Sequence, residues 1–253
     1  MLITPNWSAP ATIRAAMTTR AGGVSAPPYD SMNLGYSTAD DRANVAENER
    51  RIATALGVET SNIRWVHQVH GNVVHHAESL AANAPLGSTA IQGDAIVCRT
   101  PGLVCGVKVA DCLPVLFAAD DGSVVAAAHA GWRGLAGGVL ENTTAACNIA
   151  PARLIAWLGP CIGPTMFEVG TDVRDAFCDQ NRDAESAFVA KATAGKFWCD
   201  LPKLAAQRLN RMGVTRVHQS GLCTMSDSAQ FFSHRRDAIT GRMAAFVWID
   251  RSE

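Results

Sequence analysis

The chain lacks the cysteine spacing that marks common zinc and redox sites. None of its eight cysteines stands in a CxxC pair, which excludes a four-cysteine zinc knuckle and a thioredoxin-like redox motif. The sequence also begins without a basic stretch followed by an apolar run, so we expect no secretory signal peptide. We therefore predict a cytoplasmic protein whose cysteines are free thiols.

An excess of charge of either sign is also missing. The 22 lysines and arginines balance 23 aspartates and glutamates, and there is no basic block to release counterions from a nucleic-acid backbone. No segment approaches about 18 uninterrupted apolar residues, the length of a membrane-spanning helix. We therefore expect neither nucleic acid nor a membrane as a partner, and we expect a monomer or a small homo-oligomer.

The sequence does contain enough apolar residues for one large core. Hydrophobic residues make up 48% and charged residues 18% of the 253 positions, which is a globular composition. No repeat, low-complexity tract or flexible linker divides the chain. The sequence therefore predicts one domain over residues 1–253.

Strand-like and helical patterns are mixed without regular alternation. Helices are predicted over Asn44–Leu56 and, after the N-cap Asp200, along an apolar stripe to Met212. The first forty residues are interpreted as irregular chain lying over the domain. Short Val- and Ile-rich segments are predicted as strands: Trp65–His75, Asp94–Arg99, Leu103–Ala110, Leu113–Ala119, Ser123–Ala130 and Met243–Ile249. This order predicts an α+β fold with mixed β-sheets flanked by helices.

A hairpin brings two chemically useful side chains together. An Asp-Gly pair between apolar runs is a strong signal for a two-residue turn. If Asp121 and Gly122 form that turn, Cys112 opposes Gly131 and His129 opposes Pro114. Cys112 and His129 then lie on the same face of the sheet as diagonal neighbours. Their side chains can therefore meet.

A thiolate beside an imidazole has two functional interpretations and one structural one. The pair can hold a zinc ion or act as a Cys–His nucleophile, with Gly131 and Gly134 leaving space for a ligand. The structural alternative is a buried cysteine beside a hydrogen-bonded core histidine. A catalytic zinc needs a third protein ligand. His67 and His70 are both candidates, and spacing alone leaves the choice open, although they face opposite ways if the segment is a strand.

The sequence resembles the YfiH-type family, whose proteins are also called laccase-domain or polyphenol oxidase proteins. The resemblance runs almost from end to end and depends on the whole set of motifs, because any one motif alone is weak. The motifs are Thr18–Ser25, Met32–Gly35, Gln68–Gly71, Gly93–Ala95, Ala110–Val115, His129–Gly134, Trp157–Pro160, Phe167–Gly170, Phe231–Arg236 and Thr240–Met243.

The resemblance implies a fold, an activity and a site. The fold is a layered α/β/β/α-type sandwich, and the metal ligands and catalytic residues are His70, Cys112 and His129. The implied metal is zinc, with copper as a possibility. The implied reactions are phosphorolysis of adenosine, inosine, guanosine and S-methyl-5'-thioadenosine, and deamination of adenosine. The substrate-binding candidates are Arg20, Asn33, Arg133 and Arg235, with Arg236 as a further candidate for binding phosphate.

One position departs from the family pattern. After Asn48 the family usually has arginine, whereas this chain has Glu49 before Arg50. A substrate contact made by that arginine is therefore in doubt here.

Three other functions stay open on the sequence alone. The first is a copper polyphenol oxidase, although seven histidines without a His-x-His pair are few for clustered copper sites. The second is a metal-free Cys112–His129 hydrolase or amidase acting on a cell-wall precursor, since the chain distantly resembles a deamidating bacterial toxin. The third is a binding module with structural zinc, which needs a fourth protein ligand.

Overall fold

The computed structural model, which describes residues 2–82 and 91–251, has four layers in the order helix, sheet, sheet, helices. This arrangement confirms the α+β class and the layered α/β/β/α sandwich. None of the described helices combines the length and the apolar character needed to cross a membrane.

Two large sheets form the middle layers. The five-stranded sheet has the order β1-β2-β14-β6-β3, with bounds Leu2–Ile3, Ile13–Thr18, Met243–Ile249, Val104–Val109 and Ile63–Arg64. The six-stranded sheet has the order β13-β9-β7-β8-β5-β4, with bounds Arg216–Gln219, Leu154–Leu158, Leu113–Ala119, Val125–Ala130, Ala95–Cys98 and Val74–His76. A small sheet orders β10 (Glu168–Gly170), β12 (Lys196–Cys199) and β11 (Phe188–Ala190).

The helices cover the outer faces of the two large sheets. They are α1 (Arg42–Leu56), α2 (Trp132–Ala136), α3 (Val139–Ala146), α4 (Thr171–Cys178), α5 (Leu201–Arg211) and α6 (His234–Asp237). Short 3-10 turns lie at Thr60–Asn62, Ala77–Ser79, Pro151–Arg153 and Arg182–Ala187. The helix predicted from Asn44 begins two residues earlier, where the Asp41 side chain accepts a hydrogen bond from Ala43 N. The predicted N-cap of α5 is confirmed, because Asp200 accepts from Lys203 N.

Alternation along the central strands explains the layers. In β7, Val115 and Phe117 face the core under the helices, while Leu116 and Ala118 face the core between the sheets. In β14, Ala245 and Val247 join the core between the sheets, and Phe246 joins the core beneath α1. Both strands are buried on both faces, so they read as continuous apolar runs in the sequence.

The predicted hairpin register is confirmed, although the turn differs. Leu113 pairs with Ala130, and Pro114 pairs with His129. The hydrogen bond from Gly122 N to Ala119 O places Asp120 and Asp121, not Asp121 and Gly122, at the centre of the turn. The observed four-residue loop and the predicted two-residue loop have the same midpoint, and the register is therefore unchanged.

Two predictions about regular structure are wrong. The segment Trp65–His75 is a strand only in β4 at its end, and the rest is chain that crosses from the five-stranded sheet to the six-stranded sheet. The first forty residues are not all irregular, because β2 pairs with β14 over five residues in a central position of its sheet. The sequence of β2 is rich in alanine, so pairing with its neighbour rather than intrinsic propensity determines its structure.

Candidate metal centre and substrate cavity

Three side chains from distant parts of the sequence converge at one end of a cavity. Ligand atoms of His70, Cys112 and His129 all lie within 4.8 Å of one another. Cys112 Sγ is 3.7 Å from His70 Nε2, and the two imidazole rings meet edge to face with centroids 4.8 Å apart. Within residues 2–82 and 91–251, this is the only group of three or more possible metal ligands.

Each ligand is placed by a turn or a strand end. His129 is the penultimate residue of β8, and Cys112 immediately precedes β7. His70 and Asp111 have φ of 60° and 79°, a left-handed conformation that few non-glycine residues adopt. Such strained backbone is found at functional sites when the surrounding structure holds it in place.

The Asp94 carboxylate supplies that support on the histidine side. Its oxygens accept hydrogen bonds from the backbone N–H groups of Val69 (3.3 Å), His70 (3.0 Å) and Gly71 (2.7 Å). Asp94 Oδ1 also lies 2.8 Å from His129 Nδ1. Because a carboxylate only accepts, Nδ1 carries the hydrogen, and Nε2 of His129 is left for a metal. Burial alone would raise the pKa of Asp94, but the hydrogen bonds from His129 and Gly71 lower it.

A second buried carboxylate holds the cysteine side. Asp111 accepts hydrogen bonds from Thr224 Oγ1 (2.6 Å), Ser233 Oγ (3.0 Å) and the backbone N–H of Arg235 (2.7 Å). These bonds fix the left-handed turn that presents Cys112. Neither Asp94 nor Asp111 was assigned a role from the sequence. The signal available was that Asp94 directly precedes β5 and that Asp111 directly precedes Cys112.

The thiol and imidazole shift each other's protonation. Burial by itself raises the pKa of Cys112, but charge interaction and hydrogen bonds with His129 and His70 lower it to about 6. Burial by itself lowers the pKa of His129, but Cys112 and Asp94 raise it to about 9. Without a metal, the pair is a thiolate and an imidazolium at neutral pH, so Cys112 is already in the form that binds metals.

The spacing of Cys112 and His70 suits a tetrahedral ion. Bond lengths of about 2.3 Å to sulfur and about 2.0–2.1 Å to nitrogen place tetrahedral ligand atoms about 3.5 Å apart. The observed 3.7 Å between Cys112 Sγ and His70 Nε2 is close to this value. Gly131 keeps the space open, as predicted, because a Cβ there would lie 2.9 Å from Cys112 Sγ. Gly134 lets the His70 loop approach, since its Cβ would lie 2.6 Å from Gly71 O.

The cluster opens into a cavity of about 560 Å³ whose described lining is cationic and aromatic. Arg42, Lys108, Arg133 and Arg242 line it together with Trp65 and Tyr36, and no carboxylate of the described residues does. A larger cavity of about 990 Å³ lies beside the C-terminal end of α1, but none of the three possible ligands lines it. We therefore assign the candidate site to the smaller cavity.

Only one of the predicted substrate-binding residues lines this cavity. Arg133 does so, with its guanidinium 4.5 Å from the centroid of the Trp132 ring. Arg20 is instead tied to Asp30 and to Ser228 O, and it stacks on Phe232.

The other predicted residues also have structural partners away from the cavity. Asn33 is fully buried, where its amide donates to Thr38 and Asp40. Arg235 donates to Glu168 O. Arg236 donates to backbone carbonyl groups and to its neighbour Asp237. The sequence could not separate these residues from Arg133, because residue type and spacing do not show which side chains pack against carbonyl and carboxylate groups in the folded chain.

Two cavity residues were missed by the sequence analysis. Arg242 donates from Nη1 to the carbonyl oxygens of Thr240 and Gly241, each at 2.9 Å. Burial lowers the pKa of Arg242, while the nearby Cys112 thiolate raises it. Lys108 is the second missed residue. Its ammonium lies 3.4 Å from Glu49 Oε1, so the departure at Glu49 provides an ion pair beside the cavity.

Comparisons with known proteins agree with this fold. Residues 14–250 match the family model described as multi-copper polyphenol oxidoreductase laccase. A Pseudomonas aeruginosa protein named purine nucleoside phosphorylase is 48% identical, and an Escherichia coli protein named purine nucleoside phosphorylase YfiH is 45% identical; each match covers 98% of both chains. The crystal structure of a Neisseria meningitidis protein of family DUF152 is 44% identical, with a TM-score of 0.91 and 99% coverage of both chains. The chain therefore belongs to the YfiH-type family that this laccase-like model describes.

Proposed function

We propose that the protein is a zinc-dependent purine nucleoside phosphorylase that uses adenosine, inosine, guanosine and S-methyl-5'-thioadenosine. The observation that supports this most is the convergence of His70, Cys112 and His129 at one end of a cavity lined with cations. The names of the relatives, purine nucleoside phosphorylase, point to the same activity. We further propose that it is a cytoplasmic enzyme.

The donor set favours zinc over other ions. Two imidazoles and one thiolate are typical zinc ligands, and three protein ligands leave one coordination position open, as in catalytic sites. When bound, zinc supplies a Lewis acid and lowers the pKa of a bound water to about 7. His70 and Cys112 would hold it through Nε2 and Sγ, and His129 would hold it through Nε2, the nitrogen that Asp94 leaves free.

The arginines would hold the phosphate. In phosphorolysis an oxygen of phosphate forms a bond to C1' of the ribose, the bond from C1' to N9 breaks, and the base takes up a proton. Arg133 and Arg242 both line the cavity: Arg133 follows the ligand His129 by four residues, and the charge of the Cys112 thiolate acts on the pKa of Arg242. A guanidinium can bind phosphate through two parallel hydrogen bonds. Their charge offsets the repulsion between phosphate and the Cys112 thiolate.

We propose adenosine deamination as a second reaction of the same site. A zinc ion with an open coordination position is the arrangement used by zinc-dependent deaminases. The cavity could also present the C6 edge of adenine to the metal end, with Trp65 and Tyr36 beyond it as apolar surfaces.

The rival functions make different demands on the site. A multicopper oxidase needs several copper sites, whereas residues 2–82 and 91–251 contain one group of three possible ligands. Copper in place of zinc stays possible as the bound ion. The thiolate–imidazolium pair also suits a metal-free hydrolase or amidase acting on a cell-wall precursor.

Product analysis separates these functions. The metal-replete protein is incubated with adenosine, with and without phosphate, and the products are identified by chromatography. Adenine and ribose 1-phosphate formed only with phosphate support phosphorolysis, and inosine formed without phosphate supports deamination. If the metal-replete protein forms neither product, and the metal-free protein hydrolyses an amide, the proposal is refuted in favour of the hydrolase.

A further inference from the structure

A second cluster of side chains lines the same cavity as the metal ligands. Lys108 Nζ is 4.0 Å from the centroid of the Trp65 ring and 5.1 Å from that of Tyr36. It pairs with Glu49 Oε1 at 3.4 Å, while Glu49 Oε2 accepts a hydrogen bond from the Tyr36 hydroxyl at 3.0 Å. Lys108, Trp65 and Tyr36 line the cavity.

This lysine is held in place far more firmly than a surface lysine. Its backbone N–H and C=O both bond to the side-chain amide of Gln68 at 2.7 Å, so Gln68 continues the edge of β6 as a strand would. The Trp65 ring packs against Gly106, where a Cβ would lie 2.6 Å from the ring. The Lys108 side chain is only 15% exposed. Such confinement lowers the entropy lost when the ammonium binds a ligand.

The Lys108 ammonium group has more N–H donors than its described partners accept. A lysine ammonium carries three N–H donors and cannot accept a hydrogen bond. Of the described residues, Glu49 accepts from it, and the two aromatic faces contribute electrostatic attraction without a strong acceptor. Donors therefore remain for a ligand in the cavity, and that ligand must offer an acceptor.

Lys108 is close in sequence to the ligand Cys112 and lines the same cavity. Lys108 and Cys112 are four residues apart, so their Cα atoms are separated by at most about 14 Å. The guanidinium groups of Arg133 and Arg242 line the cavity together with the metal ligands. If these groups hold phosphate and the ribose carbon that it attacks, the purine ring extends towards Lys108 and Trp65.

We propose that Lys108 recognises the substituent at C6 of the purine and makes the enzyme prefer 6-oxopurine nucleosides in phosphorolysis. This inference rests on the proposed phosphorylase function. The O6 and N7 atoms of inosine and guanosine are both acceptors and match two ammonium donors. The 6-amino group of adenosine is a donor and opposes the ammonium, and a site built for one hydrogen-bonding pattern discriminates strongly against the other.

The test compares two lysines in nearly the same surroundings. Lys108→Met removes the donors and keeps the length of the side chain. Lys191→Met is the matched control, because Lys191 lies 3.8 Å from the centroid of the Trp198 ring and pairs with Glu168, outside the cavity lining. Phosphorolysis of inosine and of adenosine is measured for each variant as kcat/KM.

We expect Lys108→Met to lower kcat/KM for inosine by at least about tenfold and that for adenosine by less than about threefold. Lys191→Met should leave the ratio of the two values unchanged. An equal loss for both nucleosides, or a greater loss for adenosine, overturns the inference. An equal loss would place the ribose, which the two nucleosides share, rather than the base at Lys108.

A double variant and two outcomes with the wild-type protein complete the test. If Lys108→Met does not fold because Glu49 is left as an unpaired charge, the double variant Glu49→Gln/Lys108→Met removes both charges and is expected to show the same loss for inosine. If the wild-type protein forms no ribose 1-phosphate from any purine nucleoside, the proposed phosphorylase function fails. If the wild-type protein is active and the ratio does not change, only the role of Lys108 is refuted.

Discussion

Asp94→Asn is the most informative single substitution at this site. Asp94 is fully buried, and its two oxygens accept four hydrogen bonds, three from backbone N–H groups and one from His129. Asparagine has one accepting oxygen and one donating NH₂ group, so the NH₂ must face either His129 Nδ1–H or the backbone N–H groups. Facing His129 would favour the tautomer with hydrogen on Nε2, the nitrogen that should bind the metal.

The expected magnitudes follow from these contacts. Breaking a buried, charged network costs about 3–5 kcal/mol of stability, and losing the group that orients a metal-binding histidine lowers metal affinity by about 10–100-fold. Zinc affinity is measured by competition with a chelator, and stability by thermal unfolding of the metal-free protein. The control is Asp120→Asn, which removes an exposed ion pair with Arg153 and should leave zinc affinity unchanged. Wild-type zinc affinity in folded Asp94→Asn would refute the role given to Asp94.

Three further predictions concern the metal ligands. Cys112→Ala should abolish both metal binding and turnover, whereas proteins with alanine at any other cysteine should still bind the metal. A fully metallated, active Cys112→Ala variant would show that the ligand set is wrong. His70→Ala should lower metal affinity and turnover together, whereas His67→Ala should keep about one metal per chain, as atomic emission would show. Zinc affinity should rise about tenfold per pH unit between about pH 6 and 9, because His129 must lose one proton before it can bind the ion. Below about pH 6 Cys112 is also protonated, so zinc affinity should rise about a hundredfold per pH unit there. Affinity that does not change between pH 6.5 and 8.5 would contradict the pKa of His129.

Local sequence patterns predicted the structure where neighbours in sequence determine it. The Asp-Gly signal gave the register of β7 and β8, and the apolar run Met243–Ile249 was predicted with its observed bounds. The segment Trp65–His75 was wrongly predicted as a strand because its valines, at 66, 69, 73 and 74, are typical strand residues. In the structure the Asp94 carboxylate, rather than a neighbouring strand, accepts hydrogen bonds from part of its backbone. The argument that separated His67 from His70 by strand faces was therefore wrong, although the cluster contains His70 and not His67.

The arginines show why the rest could not be predicted. Arg20, Arg133, Arg235 and Arg242 are chemically identical in the sequence, and only their surroundings in the folded chain distinguish them. The Asp30 carboxylate and the Ser228 carbonyl group occupy Arg20, whereas Arg133 and Arg242 line the cavity. Lys108 likewise depends on contacts with Glu49 and Gln68, which lie 59 and 40 residues away.

Two of the crossings of the chain between the large sheets have a mechanical consequence. His70 lies on the crossing from β3 to β4, and Cys112 lies on the crossing from β6 to β7, while His129 belongs to the six-stranded sheet itself. An ion bound by all three ligands would link the two sheets at the edge of the core between them. Sliding of one sheet over the other would separate the three ligands, and loss of the ion would weaken the contact between the sheets. Metal affinity and the rigidity of the sandwich would therefore rise and fall together, by reciprocal linkage.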